Sequence, residues 1–265
     1  MHQPPHAEIL QPAPATPTSV LRVLTLNLHK GFSSFNRRLV LHELREAVRG
    51  VAADLVFLQE TVGAHATHPA RYPQWPAVSQ HEFLADTIWP AQAYGRNAVY
   101  PDGHHGNALL SKFPISYYRN HPIERLDREP RGLLHSVIAV PGLAQPLHTV
   151  CLHLGLRARD RREELEQLAA LIDAEVPAGA PLVVAGDFND WTLRGHRQLQ
   201  RLTALREVFG EARGRLAATY PARWPLLRLD RIYVRNLQRR HQAVLSMRPW
   251  SHLSDHAGLL AELSP

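Results

Sequence analysis

The chain has 265 residues, of which 45% are apolar and 20% charged, and Lys plus Arg outnumber Asp plus Glu by 30 to 24. This apolar fraction excludes a disordered protein and predicts a folded globular chain. The single cysteine, Cys151, excludes an internal disulfide framework and a cysteine-based zinc ribbon, and it indicates a reducing compartment. The positive charge balance favours an anionic partner, which could be nucleic acid, phospholipid or a phosphorylated small molecule.

The N-terminal residues 1–19 are rich in proline and poor in the residues that form cores, so we expect a flexible tail there. They contain no basic stretch followed by an apolar run, as a signal peptide would. No later segment approaches a membrane-spanning length, which predicts a protein without a transmembrane segment. We therefore expect a soluble cytoplasmic protein with one domain over residues 20–265 and no obligate protein partner.

The first half of the domain begins with a strand, a helix and a second strand. Residues 21–28 (LRVLTLNL) and 54–58 (DLVFL) are short and rich in Val and Leu, as buried strands are. Between them, apolar residues recur at helical spacing over 36–50, with Asn36 as the expected N-cap. The following segment, 61–106, has weak periodicity and predicts an elaborated loop region with one short helix near HEFLAD.

The second half continues the alternation of strands and helices. Strands are predicted over 147–154 (LHTVCLHL) and 181–188 (PLVVAGDF), and they flank a helix that begins near Asp160, where Asp160 and Glu163 resemble a capping box. A third helix is expected over 197–209. LDRIYV and the terminal HAGLLAEL are typical of strands. This order predicts an α/β domain.

Polar residues that can bind metal or phosphate stand where the predicted strands end or begin. They are Asn27, Glu60, His153, Asp187 with Asn189, Asp230, and Asp255 with His256. A single instance could be a turn residue or a hydrogen-bonded core histidine, but six strand ends together indicate one site, because a rigid sheet gathers side chains from distant positions. Carboxylates with Asn and no cysteine suit Mg²⁺ or Mn²⁺, and two histidines add proton transfer or charge stabilisation. The pattern predicts metal-assisted hydrolysis of a phosphate ester.

The motifs that carry these residues resemble the endonuclease/exonuclease/phosphatase superfamily, which includes DNase I, exonuclease III-type repair enzymes, neutral sphingomyelinases and inositol polyphosphate 5-phosphatases. The resemblance covers about residues 20–264 and rests on the ordered motifs LTLNLHKG, VFLQE, HGNALLSKFPI, CLHLGL, VAGDFND, LDRIYV and SDHAGL. It implies an α+β fold, a four-layer α/β/β/α sandwich of two mixed β-sheets flanked by helices. The site is expected at one end of the sandwich.

The resemblance also implies which residues hold the metal ion. Glu60 matches the metal-binding carboxylate of the LQE motif, with Asn27 and Asp255 close to the same ion. The ion would be Mg²⁺ or Mn²⁺.

Catalytic roles are implied for five further residues. Asp187 matches the carboxylate that positions or deprotonates the attacking water, and Asn189 would donate to a phosphoryl oxygen. His256, paired with Asp230, would contact the scissile phosphate and stabilise its charge or act as the acid/base. His153 would be a second phosphate-binding or proton-donating group.

Three more residues are candidates for phosphate contacts: Asn107, Arg96 and Arg131. For the two arginines, a place on a solvated loop is an equally good account. The carboxylate partner of His153 stays open between Asp86 and Asp102. Asp190 and Trp191 are expected to be structural, through loop capping and packing.

The substrate class is narrowed by His153, because abasic-site repair enzymes resemble one another in having tyrosine at this position. The GHHGNALLSKFPI stretch is more similar to sphingomyelinase-like and bacterial branches than to DNase I. We expect a sequence-tolerant nuclease acting on DNA or RNA. A phospholipid or small-molecule phosphodiesterase or phosphatase of the sphingomyelinase-like type is the alternative, with anionic phospholipid as its partner.

Two other classes of protein are disfavoured. A zinc hydrolase would use His252 and His256, four residues apart, but HExxH is absent and no third ligand stands at the customary spacing. A catalytically inactive module that binds polyanions would have lost metal or base residues, whereas every expected position is filled.

Overall fold

The structure is a computed structural model that describes residues 20–123 and 129–265. The tail expected over residues 1–19 lies outside this range. In chain order the elements are β1 (Leu21–Asn27), α1 (Leu41–Val51), β2 (Leu55–His65), α2 (His68–Arg71), α3 (Gln80–Ala85), β3 (Ala91–Tyr100), β4 (Gly103–Ser111), β5 (Ile115–Ile123), β6 (Arg131–Ile138), β7 (Leu147–His153), α4 (Ala158–Glu175), β8 (Leu182–Asp187), α5 (Arg194–Leu202), β9 (Arg206–Glu207), α6 (Val208–Arg213), β10 (Asp230–Arg235), β11 (Gln238–Leu245) and β12 (Gly258–Ser264).

The strands form two six-stranded sheets that pack face to face. The first sheet has the order β11-β12-β1-β2-β4-β3 and the second has the order β5-β6-β7-β8-β10-β9. Each sheet is mixed, because β1 runs parallel to β2 and β7 runs parallel to β8, while their other neighbours are antiparallel. Helices α1 and α3 cover the outer face of the first sheet, and α4 and α5 cover that of the second. The predicted four-layer sandwich is confirmed.

Three apolar clusters hold the layers together. Residues such as Val23, Phe57 and Ile232 are buried between the two sheets. Leu24 points the other way along β1 and packs under α1, because successive strand residues face opposite sides. Burial of each large apolar side chain contributes about 1.5–3 kcal/mol to the free energy of folding, which favours these all-apolar central strands. None of the helices in the described part of the chain is both long enough and apolar enough to cross a membrane.

Most predicted strands and the helix near HEFLAD are confirmed, but helix boundaries differ. Helix α1 begins at Leu41, and Asn36 lies five residues earlier in a separate 3₁₀ turn, so the predicted N-cap is wrong. The turn is followed by a bridge between Leu39 and Phe32, which delays the helix. The predicted capping box of α4 is also wrong, because the helix begins two residues before Asp160.

Two larger predictions are corrected. The segment 61–106 is not mainly loop, because β2 continues to His65 and pairs with β4, which pairs in turn with β3. A Cβ on Gly106 would lie 1.8 Å from the carbonyl oxygen of Gly95, so glycine there is required by strand pairing and not by a loop. The helix expected over 197–209 is divided, because residues 206–207 leave the helical path to pair with β10. Among the described residues, no helix lies between β3 and β7.

Candidate active site

The polar strand ends predicted from the sequence meet at one edge of the sandwich. Parallel pairing sets the ends of β7 and β8 side by side, so His153 is in register with Asp187. Antiparallel pairing sets the start of β10 at the same edge, with Asp230 in register with Asp187. In the first sheet, Asn27 ends β1 opposite Gln59 of β2. The fold thus assembles residues that are more than two hundred positions apart.

Two of the predicted residues have left-handed backbone conformations. Glu60 has φ 52° at the bulge where β2 shifts register against β4, and Asn189 has φ 49° just after β8. A side chain at positive φ costs on the order of 1–3 kcal/mol and persists where the surroundings impose it. In both residues the strained backbone aims a polar side chain toward the shared edge.

A buried chain of charged side chains forms the centre of the site. His256 Nδ1 lies 2.8 Å from Asp230 Oδ2, and His256 Nε2 lies 3.8 Å from Asp187 Oδ2. Burial alone would lower the pKa of His256, but the charges of Asp230 and Asp187 outweigh it and raise this pKa well above its ordinary value. His256 is therefore held as a cation between two carboxylates.

The Asp187 carboxylate is fixed from two sides. Its Oδ1 accepts a hydrogen bond from the backbone N–H of Asn189 at 2.9 Å, and its Oδ2 accepts one from the Asn27 amide at 3.2 Å. Burial raises the pKa of Asp187, against the opposing effect of the His256 charge. A carboxylate with a raised pKa is a better proton acceptor at neutral pH than an ordinary aspartate.

His153 and Arg131 form the second-sheet side of the site. His153 Nε2 is 3.5 Å from Asp187 Oδ2, and Arg131 Nη1 is 3.5 Å from His153 Nδ1. Burial, aided by the positive charge of Arg131, keeps the pKa of His153 well below its ordinary value, so its imidazole is neutral. The carboxylate that His153 faces is Asp187. The open assignment to Asp86 or Asp102 is thus corrected, and Asp86 instead lies 3.6 Å from Arg49.

The predicted metal residues lie on the first-sheet side. The Asn27 amide nitrogen is 3.5 Å from Glu60 Oε1, and the backbone N–H of His29 donates to Asn27 Oδ1. Asp255 Oδ2 lies 3.3 Å from His29 Nδ1. Ser254 fixes this loop, because its hydroxyl donates to the Asn27 carbonyl at 2.7 Å.

This donor set fits Mg²⁺ or Mn²⁺. Its free atoms are carboxylate oxygens, and Asp230 Oδ1 is buried with no hydrogen-bond partner in the described part of the chain. Asp187, Asp230 and His256 place one ligand atom each within 4.8 Å of one another, and two of these three residues are carboxylates. Glu60 and Asp255 are not in a compact three-ligand group of the described residues. Mg²⁺ commonly takes only one or two carboxylates and completes its shell with water and substrate phosphate.

The other phosphate candidates are placed differently from one another. Asn107 is buried and its amide group is directed at the carbonyls of Gly132 and Cys151, so it ties the two sheets together behind the site. The Asn189 amide donates to the Leu154 carbonyl. Arg96 is exposed on β3, across the β3–β4 pair from Gly106. Phosphate contacts by these three residues stay predictions.

The structural role predicted for Asp190 is confirmed, whereas the packing role predicted for Trp191 is confirmed only in part. Asp190 accepts a hydrogen bond from the backbone N–H of His196 in the first turns of α5 and pairs with the buried Arg231. Trp191 is 46% exposed and is contacted from one face by the Arg161 guanidinium, 4.8 Å from the ring centroid. Apart from its position next to Asp230, Arg231 has no distinguishing signal in the sequence.

An aromatic and cationic cavity adjoins the site and was missed by the sequence analysis. Its volume is about 310 Å³, and its lining includes Phe32, Tyr72, His68, Lys30 and Arg71. The residues of the lining come mainly from segment 61–106, for which the sequence predicts a loop region. The only sequence signal was the density of His, Trp and Tyr over residues 61–106.

The fold and the acidic, histidine-bearing edge are those of a phosphoric ester hydrolase. The family model described as "Endonuclease/Exonuclease/phosphatase family" matches residues 24–256, and the chain belongs to that family. It is 51% identical over 242 residues to the protein YbhP of Escherichia coli (strain K12), an alignment that covers 91% of this chain and 95% of the relative.

Solved structures show the same fold. An endonuclease/exonuclease/phosphatase from Beutenbergia cavernae superposes with a TM-score of 0.72 at 21% identity, over 93% of this chain and 72% of the other. D. rerio TDP2, solved in complex with a single strand DNA product, superposes with a TM-score of 0.70 at 19% identity, over 93% of this chain and 100% of the other. These likenesses extend across nearly the whole described chain.

Proposed function

We propose that the protein is a divalent-metal-dependent phosphodiesterase that cleaves nucleic acid without sequence preference. The observation that carries this proposal is the buried row Asp230–His256–Asp187, with His153 and Arg131 at its far side. It combines a carboxylate of raised pKa with two positively charged groups around a common edge. Such a set can activate water and stabilise the charge that develops on a phosphoryl group.

Asp187 is the proposed general base. Its two hydrogen bonds, from Asn189 and Asn27, hold the carboxylate in one orientation, and burial raises its pKa toward neutrality. Water placed beside Asp187 would lose its proton to this carboxylate as it attacks phosphorus. Asn189 would donate its remaining amide hydrogen to a phosphoryl oxygen.

His256 is the proposed charge stabiliser. Asp230 fixes its ring through Nδ1 and keeps it cationic, so Nε2–H is left to donate toward the phosphate. His153 is neutral and would donate its Nε2–H to another phosphoryl oxygen, while the adjacent Arg131 guanidinium supplies positive charge. Both histidines place their Nε2 atoms near the same carboxylate oxygen, Asp187 Oδ2.

Glu60 and Asp255 would hold Mg²⁺ or Mn²⁺, and Asn27 orients the Glu60 carboxylate next to it. When bound, the ion neutralises phosphate charge and polarises the scissile P–O bond. The carboxylate character of the donor set supports this choice over a softer metal.

The cavity beside the site supports nucleic acid as the substrate. Tyr72 and Tyr100 contribute partly exposed aromatic rings, and Lys30 and Arg71 bring positive charge to the same cavity. Aromatic faces combined with cations are the usual platform for single-stranded nucleic acid, because every base can stack and every phosphate is attracted. The DNA complex of the related TDP2 fold supports the same choice.

A parallel comparison of substrates tests the proposal. Plasmid DNA, single-stranded DNA, single-stranded RNA and anionic phospholipid vesicles would each be incubated with the protein and Mg²⁺ or Mn²⁺, with EDTA as a control. We expect cleavage of DNA or RNA that EDTA abolishes. Hydrolysis of phospholipid alone would replace the nuclease by the sphingomyelinase-like alternative, and no hydrolysis of any substrate would contradict the nuclease proposal.

A further inference from the structure

A second cluster of metal-ligating side chains lies away from the active site, on the outer face of the second sheet. It consists of His121 on β5, His135 on β6, His148 on β7 and Glu175, the last residue of α4. Strand register sets the three histidines on this face, because residues two apart on a strand point the same way. His135 is in register with Arg119, two residues from His121, and with Val150, two residues from His148. His148 is in register with Val137, two residues from His135. His148 is five residues from the active-site end of β7, which is about 16 Å along a strand.

The donor atoms are spaced as a small metal ion requires. Glu175 Oε2 lies 3.0 Å from His135 Nδ1 and 3.5 Å from His121 Nε2. One ligand atom from each of the three residues lies within 4.8 Å of the other two. A tetrahedral zinc ion with bonds of about 2.0–2.1 Å holds its ligand atoms roughly 3.3 Å apart. Only small side-chain movements would therefore bring the three atoms around one ion.

One of these atoms lacks a hydrogen bond within the described part of the chain. His121 Nε2 is buried and makes no hydrogen bond to any described residue, although Glu175 is near. A buried ring nitrogen without a hydrogen bond is unfavourable. A bound cation would satisfy it.

His148 completes the arrangement from behind. Its Nδ1 lies 3.0 Å from His135 Nε2, and the two rings stack with centroids 5.2 Å apart. With His135 Nδ1 turned to a metal, its Nε2–H would donate to His148, which fixes the tautomer and orientation of the ligating ring.

We propose that His121, His135 and Glu175 bind a divalent transition cation of the zinc type, with His148 as a positioning residue for His135. Two imidazoles and one carboxylate favour Zn²⁺ over Mg²⁺, the reverse of the preference at the active site. The His121 and Glu175 side chains are 21% and 30% exposed, so water can reach the fourth coordination position. The ion would join β5 and β6 to the end of α4.

Zinc binding to tag-free protein, in competition with a chromophoric chelator and with excess Mg²⁺ present, tests this inference. The wild type should bind one Zn²⁺ that the variants His121→Ala and Glu175→Gln do not bind. His148→Gln should weaken binding by about 10–100-fold, because it removes only the positioning contact. The matched control is His241→Ala, which removes an exposed histidine on β11 of the other sheet and should bind zinc as the wild type does.

Thermal unfolding provides the second readout. Zn²⁺ should raise the Tm of the wild type and of His241→Ala, and should leave that of His121→Ala unchanged. Folding of each variant is checked by its cooperative unfolding without zinc, and Glu175→Gln serves in place of His121→Ala if the latter does not fold. The inference is overturned if the wild type binds no zinc under these conditions, or if both ligand variants bind it as tightly as the wild type.

Discussion

Arg231 and Asp190 form a fully buried ion pair directly behind the active site. Both terminal guanidinium nitrogens lie 3.2 Å from Asp190 Oδ2, and the two side chains are 0% and 1% exposed. Arg231 follows Asp230, and Asp190 follows Asn189, so the pair joins the segments that carry two proposed catalytic residues. In this position the ion pair holds the loop after β8 in place.

Asp190→Asn should strongly destabilise the fold, because Arg231 would be left as a buried charge without its counter-ion. The expected loss in the free energy of unfolding is about 3–5 kcal/mol. Urea denaturation measures it. Glu166→Gln, which removes the exposed partner of Arg162, is the control and should change stability by less than about 0.5 kcal/mol. Equal stability of the wild type and Asp190→Asn would show that the ion pair does not stabilise the fold.

Glu207 predicts a dependence of stability on pH. Burial raises the pKa of Glu207 from 4.5 to about 7, although the backbone N–H of Gly210 donates to its carboxylate. Between these two values the folded chain keeps the proton that the unfolded chain has released. Stability should therefore fall as pH rises from about 4.5 to 7, by on the order of 3 kcal/mol, and this loss is complete above pH 7.

Glu207→Gln removes this titration. The amide can still accept the N–H of Gly210, so the variant should show a flatter profile of unfolding free energy between pH 5 and 7 and be more stable than the wild type at pH 8. Urea unfolding at several pH values measures both. A variant whose profile runs parallel to that of the wild type would exclude Glu207 as the source.

The two candidate arginines should behave differently. Arg131 lies against His153, so Arg131→Gln removes positive charge from the proposed phosphate site and should lower kcat by about 10²–10³-fold. Arg96 is exposed on β3, so Arg96→Gln should leave kcat nearly unchanged and affect only KM. Steady-state kinetics on the substrate that is cleaved separates these effects. Equal losses of kcat in both variants would contradict this assignment.

The sequence predicted the central strands and the site edge well because each has a local signal. The run VVAGD is apolar up to Gly186 and polar immediately after it, and β8 ends at Asp187. The family resemblance then fixed the two mixed sheets, since the same motifs lie at the same strand ends. The extent of the single domain and the cytoplasmic location stay predictions.

What the sequence did not predict depends on distant partners. Strands β3 and β4 are rich in glycine, histidine and polar residues, and they become strands through pairing with each other and with β2. The division after α5 arises because Arg206 and Glu207 pair with β10, a contact between segments far apart in the chain. The Asp190–Arg231 pair has the same origin. No local pattern of hydrophobicity carries information of this kind.

The role of Asp187 as general base is the central claim, and the Asp187→Asn variant tests it most directly. The variant keeps the size of the side chain and should fold as the wild type does, while kcat for metal-dependent cleavage of DNA or RNA should fall by about 10²–10⁴-fold. The measurement is the initial rate at saturating Mg²⁺ and substrate, with the unfolding transition of both proteins compared in the same buffer. A folded Asp187→Asn protein that cleaves nucleic acid at the wild-type rate would contradict the account.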